Sequence, residues 1–293
     1  MNTVKDYMRD DKLRHELNDL TDKTFGFDFE SWVSNGYFQG DYIPYSLEET
    51  GRMLSNASAN IMDFEQCGEH KRYIQIGTVM TDESKRKLGL ASSLIKQIIE
   101  AYKMECDGFY LFANLSALGF YKKMGFEECM QYRYSLKREV FSELDSVKKG
   151  GLIKVEVTDK SLKKKYLDYV KNSAVNAALD QKNKYGLQLF YTADFENVYY
   201  SDSLDCFVVI DRQDDTIMLQ SIIAKKEIDL KEFILQMDLT GTQLQLGFAP
   251  LNRADLFDAE RYDGEDDYRL MILGKELRSI EEKKLYFPEL SHA

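Results

Sequence analysis

The chain has 293 residues, 44% of them apolar and 30% charged, with 50 acids against 39 bases and a formal net charge of −11. That is enough apolar material for one large domain or two medium ones. The acidic excess repels a phosphate backbone, which argues against nucleic acid as a partner. Cys67, Cys106, Cys129 and Cys206 share no metal-ligand or redox spacing, and with three histidines in the chain no metal site is expected. The start, MNTVKDYMRDDKLRHEL, is too polar for a signal peptide. No apolar run approaches the roughly 20 residues that span a bilayer. The expectation is a cytoplasmic protein in a reducing compartment, with no membrane partner.

In chain order, residues 3–8 suggest a short first strand. DDKLRHELNDLTDKTFG reads as a helix ending near Gly26, and FDFESWVSNG as a short helix stopped by Gly36. YFQGDYIPYSL reads as an aromatic loop, because Pro44 excludes a regular helix. GRMLSNASANIMDFE and RYIQIGTVMT read as two strands. Leu90, Leu94, Ile95, Ile98 and Tyr102 recur at spacings of three and four, the stripe of an amphipathic helix. GFYLFAN reads as a strand, SALGFYKKM as a short helix and FEECMQYRYSLK as a single strand. The polar REVFSELDSVKKGG suggests a boundary, giving domains 1–138 and 151–293 joined by a linker, 139–150. Beyond it come a strand near 151–157, a helix near 160–173, two or three strands in VYYSDSLDCFVVIDRQDDTIMLQSII, a helix in DLKEFILQM, and strands in TQLQLGFAP and DDYRLMIL. The implied class is α/β (α+β), built on a mixed sheet.

RKLGLA, Arg86 to Ala91, lies between an apolar strand and the clearest helix. A helix N-terminus leaves about four N–H groups unpaired and carries partial positive charge. Gly89 and Ala91 let a bulky anion approach, Arg86 and Lys87 add charge, and Ser92 adds a hydroxyl. A glycine at an ordinary strand–helix turn would read the same way. The stretch is neither a P-loop nor a dinucleotide fingerprint. It does fit Arg/Gln-x-x-Gly-x-Gly/Ala. In NLSALGFYKKMGFEE, the residues Asn114, Ala117, Phe120, Tyr121, Gly125 and Phe126 fall in a second register.

Together the two motifs resemble the GNAT superfamily of N-acetyltransferases, in its bacterial two-domain form, over residues 1 to about 138. The resemblance implies the GNAT acyl-CoA N-acyltransferase fold, acetyl-CoA as cosubstrate and an amine acceptor, small molecule or peptide. It implies that Tyr121 protonates the leaving sulfur. It gives the backbone of Val79, Met80 and Thr81 to the pantetheine arm, the N–H groups of Lys87, Leu88, Gly89, Leu90, Ala91 and Ser92 to the pyrophosphate, and Asn114 and Ala117 to the cofactor site. An alkylammonium leaves only roughly one molecule in a few thousand as free amine at pH 7, so a base is required. Many relatives carry a Glu on the strand before the cofactor turn, but YIQIGTVMT has no acid. Asp63, Glu65 and Asp82 read as solvated turn acids. Some tandem members insert a terminal carboxylate, which directs attention to His292 and Ala293 in YFPELSHA. Phe38, Asp41, Tyr42 and Tyr45 could hold a cationic acceptor by ring faces and charge, or could simply be packing aromatics.

The second half echoes the first. Phe112-Ala113-Asn114 aligns with Phe248-Ala249-Pro250, Tyr121 with Phe257, and Tyr132-Arg133 with Tyr268-Arg269, at one constant offset. This copy lacks both the phenol and the Gly-containing turn. It is expected to be a degenerate GNAT-like domain that walls the substrate pocket or forms a homodimer face. The rival reading of the whole chain is a CoA-binding sensor with little turnover.

Overall fold

The computed structural model describes residues 1–140, 151–213, 215–237, 239 and 243–293. Residues 141–150 of the expected linker lie outside the described residues. The first part runs β1 (Asn2–Lys5), α1 (Asp11–Phe25), α2 (Glu30–Ser34), β2 (Tyr42–Glu49), β3 (Arg52–Gln66), β4 (Glu69–Thr81), α3 (Leu90–Tyr102), β5 (Gly108–Asn114), α4 (Leu118–Lys122), β6 (Glu127–Glu128) and β7 (Gln131–Leu136). The second part adds β8 (Ile153–Lys154), β9 (Leu179–Gln181), β10 (Val198–Ser201), β11 (Cys206–Gln213), β12 (Thr216–Ile223), β13 (Gln243–Leu246), β14 (Phe257–Tyr262) and β15 (Tyr268–Leu273). Its helices include Lys160–Lys171, Tyr185–Thr192, Leu230–Ile234 and Ser279–Glu282.

Local chemistry sets the element ends. The Asp10 carboxylate accepts from Leu13 N–H at 3.1 Å to start α1, and Gly26, at φ 76°, stops it. Arg14, buried on α1, grips Glu30 of α2 at 2.9 Å and the Met8 carbonyl at 2.8 Å, which fixes the angle between the two helices. Cys67 and Gly68, both at positive φ, form the two-residue turn between β3 and β4. The stretch read as an aromatic loop is in fact largely β2. Pro44 is tolerated there because its nitrogen points toward β1, where pairing is ending. Asp6 N–H still donates to its carbonyl at 3.0 Å, and only the reciprocal bond is missing.

One sheet has the order β1-β2-β3-β4-β5-β15-β6, with β9 also against β3; the other has the order β14-β7-β13-β12-β11-β10-β8. The pairs β4–β5 and β12–β13 are parallel. The two sheets therefore follow the same plan, except that the penultimate position of each is filled by the last strand of the other half. β15 lies against β5 from Tyr268↔Asn114 to Leu273↔Phe109 and also touches β6. β7 lies between β13 and β14. FEECMQYRYSLK is thus not one strand: Glu127–Glu128 stays in the first sheet while Gln131–Leu136 crosses to the second. The expected division after residue 138 is crossed in both directions. Phe257 opens β14, whereas Tyr121 sits on α4, so the pairing of those two residues does not hold, while Tyr132-Arg133 and Tyr268-Arg269 both lie on exchanged strands.

Leu94, Ile95 and Ile98 of α3 pack on one face of the first sheet, with Tyr121 and Phe126 completing that core. Between the two sheets lies the final segment: Leu285, Tyr286 and Phe287 are fully buried, and Phe287 stacks on Tyr110 at 4.2 Å. Each such side chain contributes roughly 1.5–3 kcal/mol on burial, ample to order the segment. Among the described residues, no helix is long and apolar enough to cross a membrane.

Each half lacks a strand that the other supplies. Residues 1–129 produced alone, without β7 or β15, are expected to show no cooperative thermal unfolding transition by circular dichroism, because β5 and β6 would be parted by an empty lane; a sharp transition would contradict the dependence on β15.

Candidate active site

β4 and β5 share a ladder only through Tyr73↔Gly108, Ile74↔Phe109 and Gln75↔Tyr110, then part. On its other side β4 bulges: the register against β3 shifts between Asn56↔Met80 and Ser58↔Gly77, leaving one extra residue on β4. Thr78, inside the bulge, is held at φ 40°, which is strained for a β-branched residue. A hydrogen-bonded cluster holds it: Thr78 Oγ1 meets the Tyr42 hydroxyl at 2.8 Å, donates to Ser58 Oγ at 2.9 Å and accepts from Asn56 Nδ2 at 3.1 Å.

The parted strands enclose a slot of about 360 Å³. Gln75 to Val79 form one wall, Phe112, Asn114, Ala117, Phe120 and Tyr121 the other, and Tyr191, His292 and Ala293 close the end. Tyr121 is buried on α4 with Phe120 and Phe126 edge-on to its ring. Burial pushes its phenol up to about 12, so it keeps its proton throughout the neutral range. Asn114 and Ala117 precede it at the end of β5 and in a single 3₁₀ turn.

The turn into α3 lies beyond the slot's lining. Lys87 and Gly89 are left-handed, at φ 68° and 78°. Gly89 is the N-cap and offers no side chain, so the N–H groups of Leu90, Ala91 and Ser92 keep their donors free; the helical ladder starts with Ser93 N–H to the Gly89 carbonyl at 3.0 Å. A Cβ at Gly89 would meet nothing within 4 Å, so the approach is open. Arg86 and Leu88 are exposed, and Arg86 pairs with Glu83 at 3.3 Å. Met80 is buried with its carbonyl accepting from Ser55 Oγ of β3 at 2.9 Å, and the Thr81 hydroxyl bonds the same Ser55 Oγ at 2.8 Å. In the second half the matching helix, Leu230–Ile234, is capped by the Asp229 carboxylate, which accepts from Lys231 and Glu232 N–H. An acid stands where an anion would have to bind.

A second cavity, of about 310 Å³, opens onto the same point, sharing Phe25, Thr78, Tyr191, His292 and Ala293 with the slot. Its walls are aromatic: Phe27, Phe29, Trp32 and Tyr42 from the first half, and Phe190 and Tyr191 from the helix Tyr185–Thr192. Asp41 faces it, with burial raising its carboxyl above the usual range. Of the residues expected to hold an acceptor, Asp41 and Tyr42 line this cavity. Phe38 and Tyr45 do not: Phe38 packs edge-on to Trp32 at 5.1 Å, and Tyr45 lies in the core beneath α3. Asp63 is tied to Arg72 at 2.7 and 3.1 Å, and Asp82 caps a 3₁₀ turn.

The last two residues sit at the junction. The His292 ring stacks on Phe112 at 3.7 Å, its carbonyl accepts from the Tyr191 hydroxyl, and Gln75 Nε2 donates to the Ala293 carbonyl oxygen at 3.3 Å. His292 Nε2 is buried with no hydrogen-bond partner among the described residues, and burial lowers the ring's pKa, keeping it neutral. Gly77 allows this close approach, since a Cβ there would stand 2.5 Å from the Ala293 oxygen and 2.8 Å from Asn60 Nδ2. The sequence reading missed Gly77, Phe25, Phe27, Phe29, Trp32 and Phe190. A glycine inside an apolar strand and alternate aromatics around Gly26 were the available signals.

No group of three or more potential metal ligands occurs among the described residues. Residues 2–126 match the family described as Acetyltransferase (GNAT) family. No curated protein matches the chain. Among solved structures, Eis1 from Mycobacterium abscessus is similar at 12% identity and TM-score 0.57, covering 92% of this chain and 73% of that one. A GCN5-related N-acetyltransferase from Kribbella flavida is similar at 15% identity and TM-score 0.56, covering 92% and 70%. One from Anabaena variabilis gives 10% identity and TM-score 0.55, covering 92% and 72%. At these identities the likeness is one of fold, and it extends across both sheets.

Gly77→Ala tests the docked end. It is expected to lower stability by about 1–3 kcal/mol or expel the tail, so that carboxypeptidase trims residues from position 293 inward, followed by mass spectrometry. Equal resistance in variant and parent would contradict the packing.

Proposed function

We propose that this chain, whose residues 2–126 match the GNAT acetyltransferase family, transfers an acetyl group from acetyl-CoA to a primary amine at the junction of its two cavities. One observation carries the reading: Tyr121 and residue 293 border the same slot, and the aromatic cavity opens onto it at residue 293.

The residues present fit coenzyme A. The free N–H groups at the start of α3, with open space at Gly89, suit a pyrophosphate. Lys87, Leu88 and Gly89 continue that turn, and Arg86 adds charge at its edge. The edge of β4 beyond Gln75, at Val79 and Thr81 on either side of the β3-bound Met80, suits the pantetheine amides, and Asn114 and Ala117 border the arm's end. Acetyl-CoA supplies an acetyl group activated as a thioester.

Tyr121 donates a hydrogen bond, then its proton, to the sulfur as negative charge develops there. A phenol held near 12 is reliably protonated for that role at neutral pH. Where residue 293 carries the chain's carboxylate, that group takes the proton from the incoming ammonium. Gln75 and Gly77 hold it in place, and neutral His292 beside it excludes a competing positive charge. The rival reading, a CoA-binding sensor, draws on the absence of a side-chain acid from the β4 wall of the slot, Gln75 to Val79.

Tyr121→Phe is expected to lower kcat by about 10²–10⁴-fold in a thiol-release assay with an amine panel, with acetyl-CoA affinity unchanged. The parent's rate should not fall off through Tyr121 ionisation until the pH approaches 12, since the acid form persists below that value. Turnover equal to the parent would remove Tyr121 from the chemistry. One alanine added after residue 293 moves the carboxylate by about 3.8 Å and should also reduce kcat; intact mass confirms the chain end.

A further inference from the structure

Resting on the reading of the aromatic cavity as the acceptor site, we propose that the acceptor is a primary amine on an apolar, ring-bearing body with a single positive charge, and not a polycationic sugar or polyamine. The walls present rings: Phe29, Trp32 and Phe190 pack on one another with centroids 5.7–6.1 Å apart. Their polar neighbours are already committed. The Trp32 indole N–H donates to the Gly186 carbonyl at 2.8 Å, and the Tyr42 hydroxyl is bound to Thr78. The amide of Asn60 donates to Gln75 O at 3.0 Å and that of Asn183 to Ile61 O at 2.8 Å. A polyhydroxylated acceptor would lose water and find few donors in exchange.

Charge gives the same answer. Asp41 is the side-chain carboxylate lining the cavity; the Asn183 side chain hydrogen-bonds it and Arg72 acts on it at longer range, but no cation forms an ion pair with it within 4 Å among the described residues. Asp63, the neighbouring acid, is spent on Arg72. One ammonium can be shared between Asp41, the ring faces and, at the junction, the carboxylate proposed at residue 293; the several charges of a polyamine or an aminoglycoside would outnumber these partners and be desolvated unpaired. Because Phe190 comes from the second half, that half helps choose the acceptor while the first half holds the thioester.

Trp32 is the chain's one tryptophan and lines the cavity, so its fluorescence reports occupancy without turnover. The full chain is titrated with 2-phenylethylamine, spermidine and kanamycin. The first should saturate at a concentration at least about tenfold below the other two. Phe190→Ala should weaken 2-phenylethylamine by about tenfold, with Phe190→Leu between it and the parent. Asp41→Asn should weaken 2-phenylethylamine but leave the neutral 2-phenylethanol unchanged. Equal or tighter spermidine or kanamycin, no saturable signal with 2-phenylethylamine, or an Asp41→Asn variant indifferent to charge would overturn the proposal. Thiol release from acetyl-CoA is followed separately. If no amine releases thiol while Trp32 still reports 2-phenylethylamine, the transferase reading fails and the cavity's selectivity stands.

Discussion

Beyond Gln75, β4 and β5 stop sharing hydrogen bonds, and the slot bordered by Tyr121 and residue 293 opens from that parting. Two parallel strands that splay leave unpaired backbone inside a protein, which is costly unless something polar occupies the gap. The bulge at Thr78 steers β4 away, and the cluster of Tyr42, Asn56, Ser58 and Thr78 keeps a strained backbone from relaxing. The resulting slot is bordered by Tyr121 on one wall and by Gln75 to Val79 on the other.

The second half of the chain acts on this slot from outside. It donates β15, which seals the far side of β5, and receives β7 in return. It sends the buried segment around Phe287 between the sheets and thereby delivers His292 and Ala293 to the place where slot and aromatic cavity meet. Its counterpart of α3, the helix Leu230–Ile234, is capped by the Asp229 carboxylate, so two of its first-turn N–H groups are already taken. On the proposed reading a division of labour follows: one half would bind the carrier and the other would shape the acceptor side.

The legible parts of the sequence were those governed by local rules. The stripe from Leu90 to Tyr102, the stops at Gly26 and Gly36, and the turn at Gly89 each follow from spacing or backbone freedom, and all recur in the structure. Partner choice was not legible. The alternation in FEECMQYRYSLK predicts a strand but not which sheet receives it, and the likeness of Tyr132-Arg133 to Tyr268-Arg269 makes the two strands interchangeable in pattern. Pro44 read as a loop because its missing donor matters only on the side where β1 ends. The aromatic cavity joins residues from both halves, Trp32 to Gly186 for instance, and no local signal reports such a contact.

The most direct test of the central claim is calorimetric titration of the full chain with acetyl-CoA, alongside S-acetylpantetheine, which lacks the diphosphate. The account predicts saturable heat with acetyl-CoA, weakening as salt rises, and far weaker binding of S-acetylpantetheine, because the α3 N–H groups then have no anion to hold. No heat with acetyl-CoA, or equal affinity for the two, would contradict a diphosphate-anchored thioester in the parting of β4 and β5.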